Sequence, residues 1–418
     1  MSHDQAGSRA EPPEPVSVNS SGPTAILAVL FLGYLAYAAD RLVFNTLLSP
    51  IQKSLGLTGP QVGLLGSAIY IGVLCTVFLA GHLSDRYGRW RIMAVGLIVF
   101  TSFTWLIGSS TSFAEVFFFR LVSGLGEGIF WPVAMAAVAA RYQSRKGLAL
   151  GVFYAGFDVG GIFGAAVTGA VLYLAGSWQP AFFVAPTVGL LAVAGVFVAR
   201  RGLEWSGKDA HRVSLGRDAF ALLRQRRMAV ILVFALAATW ATVWQTVSLA
   251  YYYANVLHLP AVWSALAYIP VPAAGIVGKV VLGGVSDRWR RDRLLLVLSL
   301  GMVISYAVFF GFSNLAIDVT ASLAMGFLSS AIFPVMQSLA ADQSGGRIGT
   351  ALGLTTSFQS VATILAPSTT GLMFFLGVGN AVALEAMIPG VLTLFVAAFV
   401  RESRIEGEQG APRDTKGF

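Results

Sequence analysis

Long apolar runs, separated by short polar segments, follow one another along the chain from Thr24 almost to its end. A helix that crosses the hydrocarbon core of a bilayer needs about 20 mainly apolar residues. Runs of that length predict an all-α membrane protein with twelve transmembrane helices. The predicted spans are 24–48, 61–82, 92–110, 114–140, 148–174, 181–199, 229–254, 262–284, 294–313, 317–339, 349–374 and 380–400.

Composition agrees with this pattern, because 56% of the 418 residues are hydrophobic and only 11% are charged. A soluble domain carries about a quarter charged residues. The single cysteine, Cys75, excludes a disulfide framework. The chain has neither a phosphate-binding loop nor a cluster of metal ligands, and its four histidines are scattered. We therefore expect no enzyme activity, no cofactor and no metal site.

The polar loops alternate in charge. One set carries many arginines and lysines, whereas the other holds little beyond Lys53 and His258. By the positive-inside rule, the basic loops and both termini are expected to be cytoplasmic, in a multi-pass protein of the plasma (inner) membrane. The net charge of +8 then reports topology, and nucleic acid is not an expected partner because the basic residues are dispersed.

One long polar interruption, residues 200–227, divides the spans six and six. Proline-rich residues 1–23 lack the features of a signal peptide and are expected to be a disordered cytoplasmic tail. The predicted organisation is a tail at 1–23, a six-helix bundle at 24–200, a cytoplasmic linker at 201–228, a second six-helix bundle at 229–400 and a cytoplasmic tail at 401–418.

The two halves are related in sequence. A shift of 202 positions carries several landmarks of the first half onto identical residues of the second: Asp85 and Arg86 onto Asp287 and Arg288, Gly81 onto Gly283, Gly124 onto Gly326, and Pro132 onto Pro334. This constant offset predicts two parallel six-helix repeats, with a binding site between them near the middle of the membrane.

The loop motif GHLSDRYGRWR, residues 81–91, resembles the signature of the major facilitator superfamily, and GGVSDRWRRDR is its degenerate second copy. RLVSGLGEG in the fourth span resembles a second signature of that superfamily. The resemblance covers the whole membrane region and implies a transporter that works by alternating access. It also implies that the loop residues form a latch that holds the outward-open state; the alternative is that they only anchor topology. These residues are Gly81, Asp85, Arg86, Gly88, Arg89, Asp287 and Arg288.

Charged residues also occur inside the predicted spans of the first half: Asp40 and Arg41 in YLAYAADRLVFN, Arg120 and Glu127 in the fourth span, and Asp158 in the fifth. A charge at the bilayer centre costs roughly 3 kcal/mol. The 202-residue shift sends all five to neutral residues, so the fold does not require them, which favours a functional role. The alternative is an ion-pair network that only positions helices. Asp40 and Arg41 point about 100° apart, so one is expected to meet the fourth helix while the other faces the cavity.

Within the superfamily, Tyr-x-x-Asp-Arg beginning at Tyr37, followed by Arg…Glu in the fourth span, resembles the anion:cation symporters, which move sugar acids and other organic anions with protons. Spinster-type lysolipid transporters share part of the pattern. The resemblance implies that Arg41 binds a substrate carboxylate, that Tyr37 and Arg120 also belong to the substrate site, and that Asp40 and Glu127 carry protons. Arg120 would keep one of those acids ionised.

Four further residues are candidates for substrate contact, each with a structural alternative. Asp158 lies among glycines and also suits a bond across a close helix contact. Lys279, taken as the only charge inside the spans of the second half, either contacts an anion or extends to the cytoplasmic surface. Gln245 and Gln359 either bind substrate or join neighbouring helices.

The resulting prediction is a monomeric, proton-coupled symporter of a small organic anion, with protons and membrane lipids as further partners. A lysolipid or amphiphile transporter is the first alternative and a drug/proton antiporter is the second. Each class predicts a different site: a small polar pocket, a wide apolar cavity, or acids without an obligatory arginine.

Overall fold

The computed structural model describes residues 23–142, 146–203, 215–286, 289–312, 314–344, 348–376 and 381–400. These residues form sixteen helices. Their bounds are α1 Pro23–Leu55, α2 Gly59–Tyr87, α3 Arg89–Ile107, α4 Phe113–Arg141, α5 Lys146–Ala175, α6 Ala181–Val184, α7 Thr187–Leu203, α8 Leu215–Leu223, α9 Arg226–Val247, α10 Leu249–Asn255, α11 Ala261–Leu266, α12 Pro270–Ser286, α13 Arg291–Gly311, α14 Leu315–Asp342, α15 Ile348–Phe375 and α16 Ala381–Ala397.

The all-α prediction is confirmed, with twelve crossings. Ten helical segments of the described chain are long and apolar enough to cross a membrane. The shorter apolar helix α16 and the 28-residue helix α15 complete the set. Three crossings are each built from two helices: α6 with α7, α9 with α10, and α11 with α12. Residues 1–22 and 401–418 of the predicted tails and residues 204–214 of the predicted linker lie outside the described residues.

Polar residues at the helix starts supply the caps that apolar segments lack. The Thr58 hydroxyl and the Gln61 side chain form a capping box at the start of α2. The Ser112 hydroxyl accepts a hydrogen bond from the Glu115 amide at the start of α4, and Asn314 does the same for the first amides of α14. The helix boundaries therefore follow from short polar sequences between apolar runs.

The predicted repeat is visible in the packing. A Cβ atom added at Gly124 would lie 2.1 Å from the carbonyl oxygen of Ile69, and one added at Gly326 would lie 2.0 Å from that of Val271. Gly326 lies 202 positions after Gly124, and Val271 lies 202 positions after Ile69. The crossing of α2 with α4 is thus repeated by α12 with α14, and both crossings depend on a glycine that lets two backbones touch.

Each half has its own apolar core. Residues of α1, α3, α4, α5 and α7 share one buried cluster, and residues of α9, α13, α14 and α16 dominate another. We call these the N-terminal bundle, α1–α7, and the C-terminal bundle, α9–α16. We also name two faces of the molecule: the basic face holds the loops with Arg86, Arg141 and Arg291, and the neutral face holds the loops with Lys53 and His258.

The bundles are joined along a seam that is closed toward the neutral face. Asn45 donates to the Thr246 carbonyl at 3.0 Å, the Tyr251 hydroxyl donates to Gln52 at 2.6 Å, and the Ser67 hydroxyl donates to the Ile364 carbonyl at 2.7 Å. The bundles also meet where α5 packs against α11 and α12. The three hydrogen bonds lie in the neutral-face halves of α1 and α2.

Candidate functional site

Four charged side chains of the N-terminal bundle form two ion pairs between α1 and α4. In the first pair, both Nε and Nη2 of Arg41 contact Oε2 of Glu127, at 2.8 and 2.7 Å. Hydrogen bonds between two ionised groups are the strong ones, and the planar guanidinium is shaped to make two of them. Arg41 is therefore held firmly on a single carboxylate oxygen.

In the second pair the carboxylate is surrounded by polar partners, whereas Nε and Nη2 of Arg120 are buried without hydrogen-bond partners among the described residues. Nη1 of Arg120 lies 3.4 Å from Oδ1 of Asp40, while the hydroxyls of Thr104 and Ser123 donate to the same carboxylate at 2.8 and 3.0 Å. The Arg120 guanidinium also lies 4.0 Å from the ring centre of Phe44. Because these partners come from α1, α3 and α4, the pair ties three helices together.

Both residues of the Asp-Arg dipeptide meet α4, Asp40 through Arg120 and Arg41 through Glu127. The expectation that only one of them would do so is wrong. The reason is the spacing of the partners, since Arg120 and Glu127 lie nearly two helical turns apart on one face of α4. Each of the two diverging side chains of α1 therefore reaches a different partner.

The two pairs differ in exposure. The Arg41 side chain is 11% exposed, whereas Glu127 and Arg120 are fully buried and Asp40 is 3% exposed. The guanidinium of Arg41 is flanked by two tyrosine rings, with Tyr37 at 4.3 Å and Tyr70 at 4.8 Å from their centres. Arg41 thus combines a charge, an aromatic setting and partial access within one buried cluster.

Glu127 is only half satisfied within the described residues. Its Oε2 carries both bonds from Arg41, but its Oε1 is buried without a hydrogen-bond partner there. A buried oxygen without a donor is costly unless a proton or another group serves it. This asymmetry makes Glu127 the acid of the cluster best placed to accept a proton.

A third ion pair crosses between the bundles. Nζ of Lys279 on α12 lies 2.5 Å from Oδ2 of Asp158 on α5, and the lysine side chain is 28% exposed. Gly275, one turn before Lys279, leaves room for the aspartate, because a Cβ added there would lie 3.3 Å from its Oδ1. The structure thus pairs two candidate residues for which the sequence predicted no mutual contact.

The candidate amides lie in neutral surroundings. The Gln245 side chain donates to the Tyr306 hydroxyl at 2.8 Å and accepts from the Ser329 hydroxyl at 3.3 Å. Tyr306 in turn donates to the Ala241 carbonyl at 2.5 Å. Both ends of the Gln245 amide are therefore occupied by protein groups, while Gln359 on α15 is half-buried.

Two buried acids in the predicted spans of the second half are missing from the sequence-based candidates, Asp318 in span 317–339 and Glu385, each only 3% exposed. Glu385 lies inside the predicted span 380–400 on α16, so the statement that Lys279 is the only charge within those spans is wrong. The hydroxyls of Thr369 and Thr370 bond its carboxyl group. The signal was available, because an acid within an apolar span is a functional candidate in its own right.

The loop motif places a glycine where the chain must turn. Gly88 has φ of 90°, a conformation that favours glycine, and its amide donates to the Ser84 carbonyl at 3.0 Å between α2 and α3. Arg86 is exposed, with its guanidinium 5.3 Å from the Tyr87 ring centre, and Arg89 begins α3. Gly81 and Asp85 belong to α2, while Asp287 and Arg288 lie outside the described residues. The latch remains a prediction.

Two six-helix repeats with ion pairs buried inside one of them define the class of this protein, because secondary transporters are built in this way. The model of the Major Facilitator Superfamily matches residues 30–367. The chain belongs to that family: it is a membrane transporter and not an enzyme.

Relatives extend over most of the chain. It is 26% identical to the 3-(3-hydroxy-phenyl)propionate transporter of Escherichia coli, over 93% of this chain and 97% of that protein. It is 31% identical to the probable 4-methylmuconolactone transporter of Cupriavidus pinatubonensis, over 71% of this chain and 70% of that protein. Among solved structures, a bacterial homologue of the human lysosomal transporter Spinster has a TM-score of 0.71 at 17% identity, covering 90% of this chain and 94% of the other. The last comparison shows a shared fold.

Proposed function

We propose that this transporter carries small organic carboxylates together with protons, by alternating access, across the plasma (inner) membrane. The observation that supports this most directly is the Arg41–Glu127 pair, in which a partly accessible arginine is held by a buried acid. In this proposal the basic face is cytoplasmic, in keeping with the positive-inside rule.

The pair provides a way to couple the two solutes. A substrate carboxylate that takes the place of Glu127 on Arg41 leaves the glutamate buried without its cation, which is unfavourable for the charged form. Uptake of a proton by Glu127 removes that cost. Substrate and proton therefore bind together more readily than either does alone, which is the thermodynamic requirement for symport.

Charge balance favours the same mechanism. An anion that enters alone moves against a negative-inside potential, at a cost of about 2.3 kcal/mol per charge for each 100 mV. One accompanying proton cancels that cost, and a second would make entry favourable. The second ion pair, Asp40 with Arg120, is proposed to hold α1 and α4 in register, because its groups are bonded to three helices and buried.

The surroundings of Arg41 indicate the type of acid. Tyr37 and Tyr70 flank its guanidinium, and Tyr37 stacks on Tyr34 with ring centres 5.2 Å apart. Such a setting suits a planar aromatic or unsaturated carboxylate, whose ring can stack while its carboxylate meets the arginine. The named substrates of the two relatives, a hydroxyphenylpropionate and a methylmuconolactone, are compounds of this type. Lys279, with its partner Asp158, is proposed as a second contact for the substrate from the opposite bundle.

Uptake by the purified protein in liposomes tests the proposal. The panel contains aromatic carboxylates, aliphatic carboxylates, a sugar acid, a lysolipid and a cationic drug, each with and without an inward proton gradient. We expect aromatic carboxylates to accumulate only with the gradient. Transport of the lysolipid or the drug in their place would support one of the alternative classes, and carboxylate uptake that ignores the gradient would refute proton coupling.

Two variants test whether Arg41 binds the substrate and whether Glu127 carries the proton. Arg41→Ala is expected to abolish carboxylate uptake, while Glu127→Gln, an analogue of the protonated acid, is expected to keep exchange of substrate but lose accumulation driven by the gradient. Arg224→Ala is the matched control, because the Arg224 guanidinium also lies over an aromatic ring, that of Phe220 at 4.9 Å, but on an exposed part of α8 and its following turn. Normal uptake by Arg41→Ala would contradict the proposal.

A further inference from the structure

A buried acid of the C-terminal bundle has no role in the proposed substrate site. Glu385 lies in the second turn of α16, near the neutral face, and its carboxyl oxygens contact the hydroxyls of Thr369, at 3.1 Å, and Thr370. None of the ion pairs between described residues includes it. A carboxylate in an apolar interior without a cation is expensive.

The polar partners of Glu385 indicate which form of its carboxyl group is favoured. Each threonine hydroxyl has one proton to donate. Both hydroxyls also lie within hydrogen-bond distance of the Ala366 carbonyl in their own helix, Thr369 at 2.8 Å and Thr370 at 3.0 Å. The same hydroxyls donate to the carboxyl group of Glu385, so they supply polar contacts but no positive charge. In an apolar interior such contacts do not offset the cost of an ionised carboxylate, which favours the neutral acid while the helices are packed.

Glu385 is connected to the seam between the bundles. The hydroxyls of Thr370 and Ser248 are 3.4 Å apart, and both residues line a cavity of about 20 Å³ whose opposite wall is formed by Gly59, Val62 and Gly63 of α2. A cavity of this volume has room for about one water molecule. A path for a proton thus leads from the seam through the Thr370 hydroxyl to Glu385.

The same part of α15 closes the seam. A Cβ added at Gly371 would lie 2.5 Å from the Gly59 carbonyl oxygen and 2.8 Å from Cα of Gly63, so the backbones of α15 and α2 are in direct contact beside Thr370. Opening the neutral face must separate these two helices. Water would then enter at the point where the proton path begins.

We propose that Glu385 is a proton-binding site of the neutral-face gate, protonated while α15 packs on α2 and ionised when the gate opens. Its ligand is a proton delivered by hydronium: the carboxylate oxygen gains the proton, and hydronium becomes water. The proposal rests on alternating access in the proposed function, but it does not depend on which solute is carried. It adds a second acid to the transport cycle, distinct from Glu127.

Within the described elements that pack on α16, Glu385 is the acid that lies beside the gate helix α15. Its helix packs mainly against α9, α13 and α15. Between 348 and 375, α15 has no ionisable side chain. The charged residues of α9 and α13, Arg226 and Arg227 and then 291–293, lie at their basic-face ends, and Tyr306 of α13 donates to the Ala241 carbonyl. Two other acids of the neutral face, Glu115 and Asp318, lie in the first turns of α4 and α14, and His258 lies in the loop between α10 and α11.

A distance measurement between spin labels tests the proposal without any substrate. The labels are attached at Ser54→Cys and Leu376→Cys, exposed positions on opposite sides of the seam, after replacement of the exposed native cysteine by Cys75→Ser. Distances are recorded from roughly pH 5 to pH 9 by pulsed electron paramagnetic resonance. We expect the parent protein to shift toward longer distances as the pH rises, because ionised Glu385 favours the open gate.

Glu385→Gln, which stays neutral, is expected to keep the short distance at every pH. Thr370→Val, which removes the hydroxyl between the acid and the cavity, is expected to weaken the shift and serves if the first variant does not fold. Glu115→Gln and Asp318→Asn are matched controls and should shift like the parent. The proposal is overturned if the parent distance ignores pH or if Glu385→Gln shifts like the parent. Failure of carboxylate uptake would instead count against the proposed function alone.

Discussion

The centres of the two bundles occupy equivalent positions of one repeated fold but contain different chemistry. Where the N-terminal bundle has Glu127, bonded to Arg41, the C-terminal bundle has Ser329, bonded to Gln245. Where the first has Arg120, the second has Ser322, whose hydroxyl lies 3.4 Å from that of Tyr253. The same helix crossings therefore form with ion pairs in one half and with neutral hydrogen bonds in the other. Charge is not what holds this fold together.

The largest loss of stability is expected when one partner of the buried Arg41–Glu127 pair is removed. Arg41→Val, which introduces the residue found at the equivalent position 243, leaves Glu127 buried without its cation. Breaking a buried pair in this way costs about 3–5 kcal/mol. We expect a loss of that size in the free energy of unfolding, measured in mixed detergent micelles, together with loss of transport.

The double variant Arg41→Val/Glu127→Ser carries the residues of the C-terminal bundle at both positions. It is expected to regain most of the lost stability while transport stays absent, because removing both charges removes the desolvation cost. If the double variant is as unstable as the single one, the two bundle centres are not interchangeable and the charges have a structural role.

The two helix crossings that depend on a glycine, α2 with α4 and α12 with α14, test the symmetry of the repeat. Gly124→Ala and Gly326→Ala each force a Cβ against a carbonyl oxygen, at 2.1 and 2.0 Å. Overpacking costs about 1–3 kcal/mol, and we expect equal losses in thermal stability from the two variants. Gly151→Ala is the control, since nothing lies within 4 Å of its added Cβ. Clearly unequal losses would show that the two crossings are not equivalent.

A substitution of Gln245, the centre of the neutral hydrogen bonds in the C-terminal bundle, is expected to cause a smaller loss of stability. Gln245→Leu removes the bonds to Tyr306 and Ser329. Leaving buried polar groups without partners costs about 1–3 kcal/mol, so a modest fall in unfolding temperature is expected with the KM for substrate unchanged. A raised KM at normal stability would instead make Gln245 a substrate contact.

The smallest change in stability is expected at Gly151, the control position for the two glycine contacts. Gly151→Ala lies in open space within α5, where alanine is a better helix former than glycine by about 1 kcal/mol. A slight gain in stability with normal transport is expected from thermal unfolding and uptake assays. A loss of transport would indicate that α5 needs flexibility at this point.

Much of the fold could be predicted because apolar length and a constant offset are properties of the chain alone. The pairing in the site could not be predicted in the same way. Arg120 and Glu127 share one face of α4, so sequence spacing makes either a partner for Asp40 or Arg41. The position and rotation of α1 relative to α4 decide that Arg41 pairs with Glu127. That position and rotation depend on how both helices pack against the others.

The sequence by itself determined the number of crossings, the two-fold repeat and the charged residues of the first half whose counterparts in the second half are neutral, since a bilayer requires long apolar helices and a repeat needs only a constant spacing. Tertiary structure alone decided which charges meet, that Asp158 and Lys279 join the bundles, and that Glu385 contacts the gate helix. The physical reason is that such contacts link residues far apart in the chain, and their geometry arises only when helices pack.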